Sequence, residues 1–524
     1  MKFLTRFRTK PLTVVLVVTG LLALACTSAA TPTPTPTSAP TPIPTVTEAP
    51  EPTSVPPTVT GSGIEGGDPD FNVVAMIWQG YWLSRDHFGP FVMASGMGEP
   101  FMPPPAMMQN AMQMVAQNPN DPVPMIQNMM PLQAVFASGS SDLVNDPREF
   151  GPLDLEAFRL DPSTFDKTVA VRAQAETMLK LSQWSHNFSN EHFGTPDDDF
   201  GALQRFLGVM VAMLSQMQCQ YAMQNLLNMD DGLYRDSDGT LDYAGNWVML
   251  HTLSDVSLLT REGSRYTNPD SQPMFEGAAS MLFRALEDRE PESAQEAAAA
   301  IRALVYRAWT AEDPAVEGAA LAKATAIADS QLVEFTSSDV VEQAAAIVGL
   351  VGIANATGEG KYLDSADALY QSLSDDFDPA HGIFNSKNVY NVDDVAWIIG
   401  GLNWLLQEGN KDTKPSASNM LLAFYEATIS LGGMQLSAPP GKNGVMAGEF
   451  EINLPGVVYY HPVDTPPPAM VGKLPVPAEE ITWDGSSWSV TSDRLVTAGA
   501  MHLANELNWL GPHLGSIPFP PVGK

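Results

Sequence analysis

The chain is predicted to be mainly α: helical hairpins standing side by side, short β pieces in the loops between them, and a methionine-rich N-terminal cap. Two observations carry this. From about Asp166 onward apolar residues recur at helical spacing, as in Ile301, Leu304, Val305, Ala308 and Trp309. A unit also repeats. Gly232-Leu233-Tyr234 is followed, fifteen residues after its glycine, by Trp247 and then by a stretch closing at Gly263; Gly382-Ile383-Phe384 is followed at the same distance by Trp397 and closes at Gly409. Helical hairpins that cannot bury a face alone do so by stacking on their neighbours.

In chain order, residues 1–25 have the layout of a secretory signal. Lys2, Arg6, Arg8 and Lys10 precede a fourteen-residue apolar run that ends Leu22-Ala23-Leu24-Ala25-Cys26. Such a run is shorter than the roughly 20 residues that span a bilayer. The cysteine after small residues resembles the lipobox of bacterial lipoproteins, in which it is acylated and becomes the mature N-terminus. That resemblance implies lipidation at Cys26, a membrane partner held through the lipid, and an extracytoplasmic address.

Residues 26–67 read as a tether. Between 27 and 60 there are ten Pro and eleven Thr, a composition that buries almost nothing and favours an extended polyproline-like backbone. At about 3.1 Å per residue it reaches up to roughly 100 Å. Residues 68–161 form the expected cap, with Met93, Met97, Met102, Met107, Met108, Met112, Met114, Met125, Met129 and Met130, one or two short helices, and Trp78, Tyr81 and Trp82 as an aromatic anchor. Residues 162–511 form the helical domain. Its clearest helices are predicted over 294–309, 361–373, 393–407, 418–431 and 492–510, with short strands over 382–384, 457–460 and 481–490. Residues 512–524 are a tail.

With the signal removed, 23 basic residues face 60 acidic ones, a balance of −37. So acidic a chain repels nucleic acid, which is therefore not an expected partner. Beyond Cys26 the other cysteine is Cys219, inside an apolar helical stretch, where a buried inert thiol is expected rather than a nucleophile. The sequence implies no cofactor and leaves the oligomeric state open. Gly-x-Ser-x-Gly, P-loop and dinucleotide motifs are absent.

Ala354-Asn355-Ala356-Thr357-Gly358-Glu359-Gly360-Lys361-Tyr362-Leu363, followed by Ala366 and Leu369, resembles the helix-turn-helix joint of six-hairpin (α/α) toroids. Phe377-Asp378-Pro379-Ala380-His381-Gly382-Ile383-Phe384, leading into Asp393-Asp394, resembles an inner-loop segment of the same six-hairpin glycosidase-like superfamily. The resemblance covers about residues 225–430. It implies an (α/α) toroid whose active cleft lies at one mouth and whose ligand is carbohydrate, bound or processed by glycoside hydrolase-type acid/base chemistry.

Glycoside cleavage takes one protonated and one ionised carboxyl. The repeated loops supply Asp230, Asp231, Asp242, Asp376, Asp378, Asp393 and Asp394. Asp393 or Asp394 is the expected acid on one side, and Asp231 or Asp242 on the other. Tyr234, Trp247, Phe384 and Trp397 are the expected stacking faces for sugar. The plainer reading makes these aspartates helix caps and turn residues. Asp236-Ser237-Asp238-Gly239 resembles part of a calcium loop, though a solvated turn explains it more simply. Asp86-His87-Phe88-Gly89, echoed at 191–194, reads as a helix end with a glycine stop. The rival function is a non-catalytic envelope protein that binds copper or a protein partner through its methionines.

Overall fold

The computed structural model describes residues 61–69, 71–101, 127–146, 149–150, 154–189, 199–264, 266–437 and 472–511. The signal segment, Cys26, most of the tether, the methionines from 102 to 125, the strand expected over 457–460 and the tail lie outside them.

Twelve α-helices are present among the described residues: α1 (Val73–Ala94), α2 (Val171–Ser189), α3 (Asp199–Asn225), α4 (Tyr243–Thr260), α5 (Gln272–Leu286), α6 (Ala294–Thr310), α7 (Pro314–Ile327), α8 (Val340–Thr357), α9 (Gly360–Asp376), α10 (Val392–Glu408), α11 (Lys414–Tyr425) and α12 (Thr497–Leu507). The even-numbered helices close a ring. α2 packs on α4, α4 on α6, α6 on α8, α8 on α10, α10 on α12, and α12 back on α2. Each is backed by an odd-numbered helix: α3 on α2, α5 on α4, α7 on α6, α9 on α8, α11 on α10 and α1 on α12. The chain is therefore mainly α, and the described helices form a toroid of six hairpins.

Local chemistry explains the two layers. The outer helices are amphipathic. α9 buries Tyr362, Ala366, Leu369, Tyr370 and Leu373 on one face, and α5 does the same with Phe275, Ala278, Ala279, Leu282, Phe283 and Leu286. Inner helices are covered on nearly all sides, so α8 is buried from Val340 to Ala354 apart from Glu342. α8 is also the one described helix long and apolar enough to cross a membrane, and its place in the ring accounts for that composition. Small residues let inner helices approach. A Cβ on Gly401 of α10 would stand 2.7 Å from the Ala344 carbonyl oxygen of α8. Starts and stops follow capping rules: Asp339 accepts from the Val341 and Glu342 N–H groups ahead of α8, and Gly358 ends it at φ +73°.

Nine short strands are present among the described residues: β1 (Gly98–Pro100), β2 (Leu132–Val135), β3 (Ser138–Gly139), β4 (Phe377–Asp378), β5 (Ile383–Phe384), β6 (Val389–Asn391), β7 (Glu480–Trp483), β8 (Trp488–Ser492) and β9 (Leu495–Val496). All pairings are antiparallel: β1–β2, β3–β9, β4–β5 and the three-stranded β6–β7–β8. Gly382, in the turn between β4 and β5, adopts φ +67°, and a Cβ there would lie 2.5 Å from the Ala423 carbonyl oxygen. Only glycine fits both constraints.

Three expectations need correction. α1 belongs to the ring rather than to a separate cap, because it backs α12 and so completes the sixth hairpin. Ser84 Oγ of α1 donates to the Ala504 carbonyl of α12 at 2.7 Å, and the wholly buried Lys180 of α2 donates to both groups. Gly89 does not stop a helix: α1 runs on through Pro90 to Ala94. Residues 492–510 are not one helix, since β8 extends to Ser492 and β9 precedes α12.

The two ends of the ring differ. Where α6, α8 and α10 finish, their connections are short (311–313, 358–359 and 409–413). Where α2, α4, α10 and α12 begin, longer described segments precede them (127–146 with 154–170, 226–242, 377–391 and 472–496). The toroid thus has one mouth built up by loops.

Candidate functional site

At that mouth the inner helices surround a narrow cavity of about 60 Å³. Five of the six inner helices contribute residues at helical spacing, α8 being the exception. α2 presents Arg172, Glu176 and Leu179; α4 presents Ala244, Val248 and His251; α6 presents Gln295, Ala299 and Arg302; α10 presents Asp393 and Trp397; α12 presents His502, Asn505 and Glu506.

The loops set these side chains in place. Ahead of α2, the Val171 N–H donates to Asp236 Oδ1 at 2.8 Å and the Val169 N–H to Ser237 Oγ at 2.9 Å. The Asp238 carboxylate accepts from the Thr240 N–H at 2.9 Å. The segment that resembles a calcium loop is thus engaged in holding the start of α2, one residue before Arg172. Ahead of α10, Asn391 and Asp394 form a reciprocal capping box, which fixes Asp393 in the first turn. Ahead of α12, β9 pairs with β3 and the Thr497 N–H donates to the Ala137 carbonyl at 3.0 Å.

A line of alternating charges runs through the cavity wall. Arg302 Nη1 donates to Glu506 Oε1 at 2.5 Å, and His502 Nε2 lies 3.7 Å from that same oxygen. His502 Nδ1 is 2.7 Å from Asp393 Oδ1, which also accepts from Arg172 Nη2 at 2.5 Å. Asn505 Nδ2 donates to Glu176 Oε2 at 2.7 Å. Trp397 sets its ring edge-on to His502, 4.6 Å between centres. Burial alone would push the Asp393 carboxyl up, but the Arg172 guanidinium and the His502 imidazole hold it well below the usual carboxylate range. Burial, with the Arg302 charge nearby, pushes the His251 imidazole down to about 3, so His251 is neutral at pH 7.

Of the eight side chains the sequence proposed for catalysis or sugar binding, Asp393 and Trp397 line the cavity. Asp394 is taken by the capping box and by Lys387 at 3.1 Å. Asp231 accepts from the Leu233 N–H and from Arg235 within its own turn. Asp242 sits at the N-cap position of α4 and is not among the lining residues. Tyr234, Trp247 and Phe384 are fully buried, which closes their faces to any ligand. They pack the roots of the repeated loops: Asn246 bonds both the N–H and the carbonyl of Tyr234, and Phe384 lies against Phe377 and Phe424.

Arg172, Glu176, His251, Arg302, His502, Asn505 and Glu506 were missed. A signal existed. His502, Asn505 and Glu506 make a polar stripe at i, i+3 and i+4, and Arg302 interrupts an alanine-rich run.

Elsewhere, Cys219 is wholly buried and its thiol is pushed up by burial. Among the described residues no group of three or more His, Cys, Asp or Glu side chains is placed to hold a metal ion. Met93 and Met97 are buried in the core and Met129 packs against it.

No family model matches the chain, and no curated protein matches it. Among solved structures, the endoglucanase of the termite Nasutitermes takasagoensis, determined at pH 2.5, is similar at a TM-score of 0.44 and 12% identity, over 83% of this chain and 98% of that one. So remote a likeness carries no argument about chemistry. The toroid is established by the ring of helices itself.

Proposed function

We propose that this protein is a toroid that binds carbohydrate at its loop-built mouth, seating a sugar end group in the axial cavity. One observation carries the reading: five charged side chains, two imidazoles and two carboxamides line the axis of the ring. Burying charge costs several kcal/mol per ion unless it is compensated, and apolar residues of similar volume would stabilise such a core at least as well. A cluster of planar polar groups beside an indole suits a ligand that offers many hydroxyl donors and acceptors around an apolar ring face. The cavity's size favours a ligand's end over a length of chain, since one water occupies roughly 10–15 Å³ on this scale.

Asp393 is the cavity carboxylate that was proposed as catalytic. Because Arg172 and His502 keep it ionised, it suits the part of a stabiliser of positive charge, and not that of a proton donor. Binding is therefore the primary reading, with hydrolysis as its extension. A glycan-array and hydrolysis screen of the full chain tests both. The reading expects oligosaccharide binding that is lost in Trp397→Ala. Hydrolysis abolished in Asp393→Asn would add catalysis, whereas no binding across the array would remove the carbohydrate reading.

We also propose that the toroid is held to a membrane by an acylated Cys26. The basic start, the short apolar run, the small residues before Cys26 and the Pro/Thr-rich stretch support this. Metabolic labelling with a fatty acid, present in the natural chain and absent in Cys26→Ser, is the expected result.

A further inference from the structure

The charged groups in the cavity are unequal in their freedom. Two guanidiniums face three carboxylates there, Arg172 and Arg302 against Glu176, Asp393 and Glu506, with the His502 imidazole between Asp393 and Glu506. Both guanidiniums are committed within the protein. Arg172 Nη2 donates to Asp393 at 2.5 Å, and Arg302 Nη1 to Glu506 at 2.5 Å. Recognition of a sugar carboxylate ordinarily relies on an arginine whose fork is open to bidentate pairing. Here each guanidinium is already paired with a carboxylate, and an entering carboxylate would add a fourth negative charge to a confined, poorly solvated space. Hydroxyl groups and an ammonium group meet the opposite situation, since carboxylate oxygens are acceptors with spare lone pairs. Among the lining residues a neutral His251 adds no compensating positive charge. The whole chain, at −33, further disfavours an approaching anion.

We propose that the cavity selects neutral and amino sugars against uronic acids, and that the Arg302–Glu506 and Arg172–Asp393 pairs set this selectivity. The inference rests on the carbohydrate reading above and deepens it. The two pairs act as a filter because each neutralises a cation that would otherwise recruit an acidic sugar. Removing the charge of either carboxylate, while keeping its shape, leaves a guanidinium free and raises the cavity's net charge by one.

The test is a calorimetric titration of the full chain with three oligosaccharide series of equal length, built from glucose, glucosamine and glucuronic acid. Wild type is expected to bind the acidic series at least tenfold more weakly than the other two. Glu506→Gln and Asp393→Asn are each expected to narrow that gap at least tenfold, by improving affinity for the acidic series relative to the neutral one. The partly exposed Asp393 provides the second route should the buried Glu506 position fail to fold when changed. Acidic oligosaccharides bound as tightly as neutral ones by wild type, or a gap unchanged in both variants, would overturn the selectivity while leaving carbohydrate binding intact. Binding of none of the three series would overturn the carbohydrate reading and the selectivity with it.

Discussion

At the scale of single residues, the polar groups buried in this toroid make its stability depend on pH in a defined direction. His87 of α1 lies beside Gln435, 2.6 Å from Nε2 to Oε1, and burial pushes its imidazole down to about 4. His251 is pushed down to about 3. Both rings are neutral in the fold but take up a proton near pH 6.5 once unfolded. Stability is therefore complete above about pH 6.5 and is lost as pH falls towards the folded values. Between pH 7 and pH 5 each histidine should remove about 2 kcal/mol. His186 acts in the opposite sense: burial lowers its pKa, but the Asp255 carboxylate at 3.2 Å outweighs this and raises it. Urea unfolding at the two pH values, for wild type beside His87→Gln, isolates one contribution. The variant is expected to lose about 2 kcal/mol less than wild type over this interval. An equal loss in both would show that His87 is not a buried neutral group.

At the scale of elements, what was legible followed from periodicity. The helices over 294–309, 361–373 and 393–407 were read almost to their ends because they carry apolar residues at helical spacing, and the first and third also carry side-chain N-caps. The Gly-to-Trp repeat was also genuine. Gly232 and Gly382 both take positive φ, and Tyr234 and Phe384 are both buried beneath their loops. The roles of these aromatics were not legible, because a loop's aromatic residue is equally suited to a ligand or to the core beneath it. Inner helices hid the site for a related reason. They are buried along most of their length, so a polar residue such as Arg302 or His502 is equally suited to a packed helix contact or to the axis, and spacing alone does not decide between them. The capping box on α10 links an element to the site directly. Asn391→Ala should cost about 1 kcal/mol in stability. It should also weaken carbohydrate binding several-fold, because the first turn that carries Asp393 is loosened. Thermal unfolding and ligand titration of the same variant would check both effects; unchanged binding would mean that Asp393 is positioned by Arg172 and His502 alone.

At the scale of the whole molecule, the ring is closed by helices far apart in sequence. α1 and α12 lie at opposite ends of the described chain, and no local pattern announces that they pair. This is why residues 68–161 read as a cap. Their methionines set them apart in composition, whereas their first helix completes the sixth hairpin. A chain lacking residues 1–95 is accordingly expected to lose cooperative thermal unfolding, since α12 and Lys180 would be uncovered. A separate cap would leave an intact toroid with its helical circular-dichroism spectrum unchanged.

The central claim is that the axial cavity at the loop-built mouth is where carbohydrate binds. Ala244, half-buried on the first turn of α4, lines that cavity and makes none of its charge pairs. A tryptophan in its place would fill the entrance while sparing the Arg172–Asp393 and Arg302–Glu506 pairs. The most direct measurement is therefore a calorimetric titration of wild type and Ala244→Trp with the oligosaccharide that the screen identifies, after circular dichroism has shown the two to be equally helical. The account predicts binding to wild type and a loss of at least a hundredfold in affinity for the variant. Equal affinity in the two proteins would contradict it and place the ligand elsewhere on the molecule.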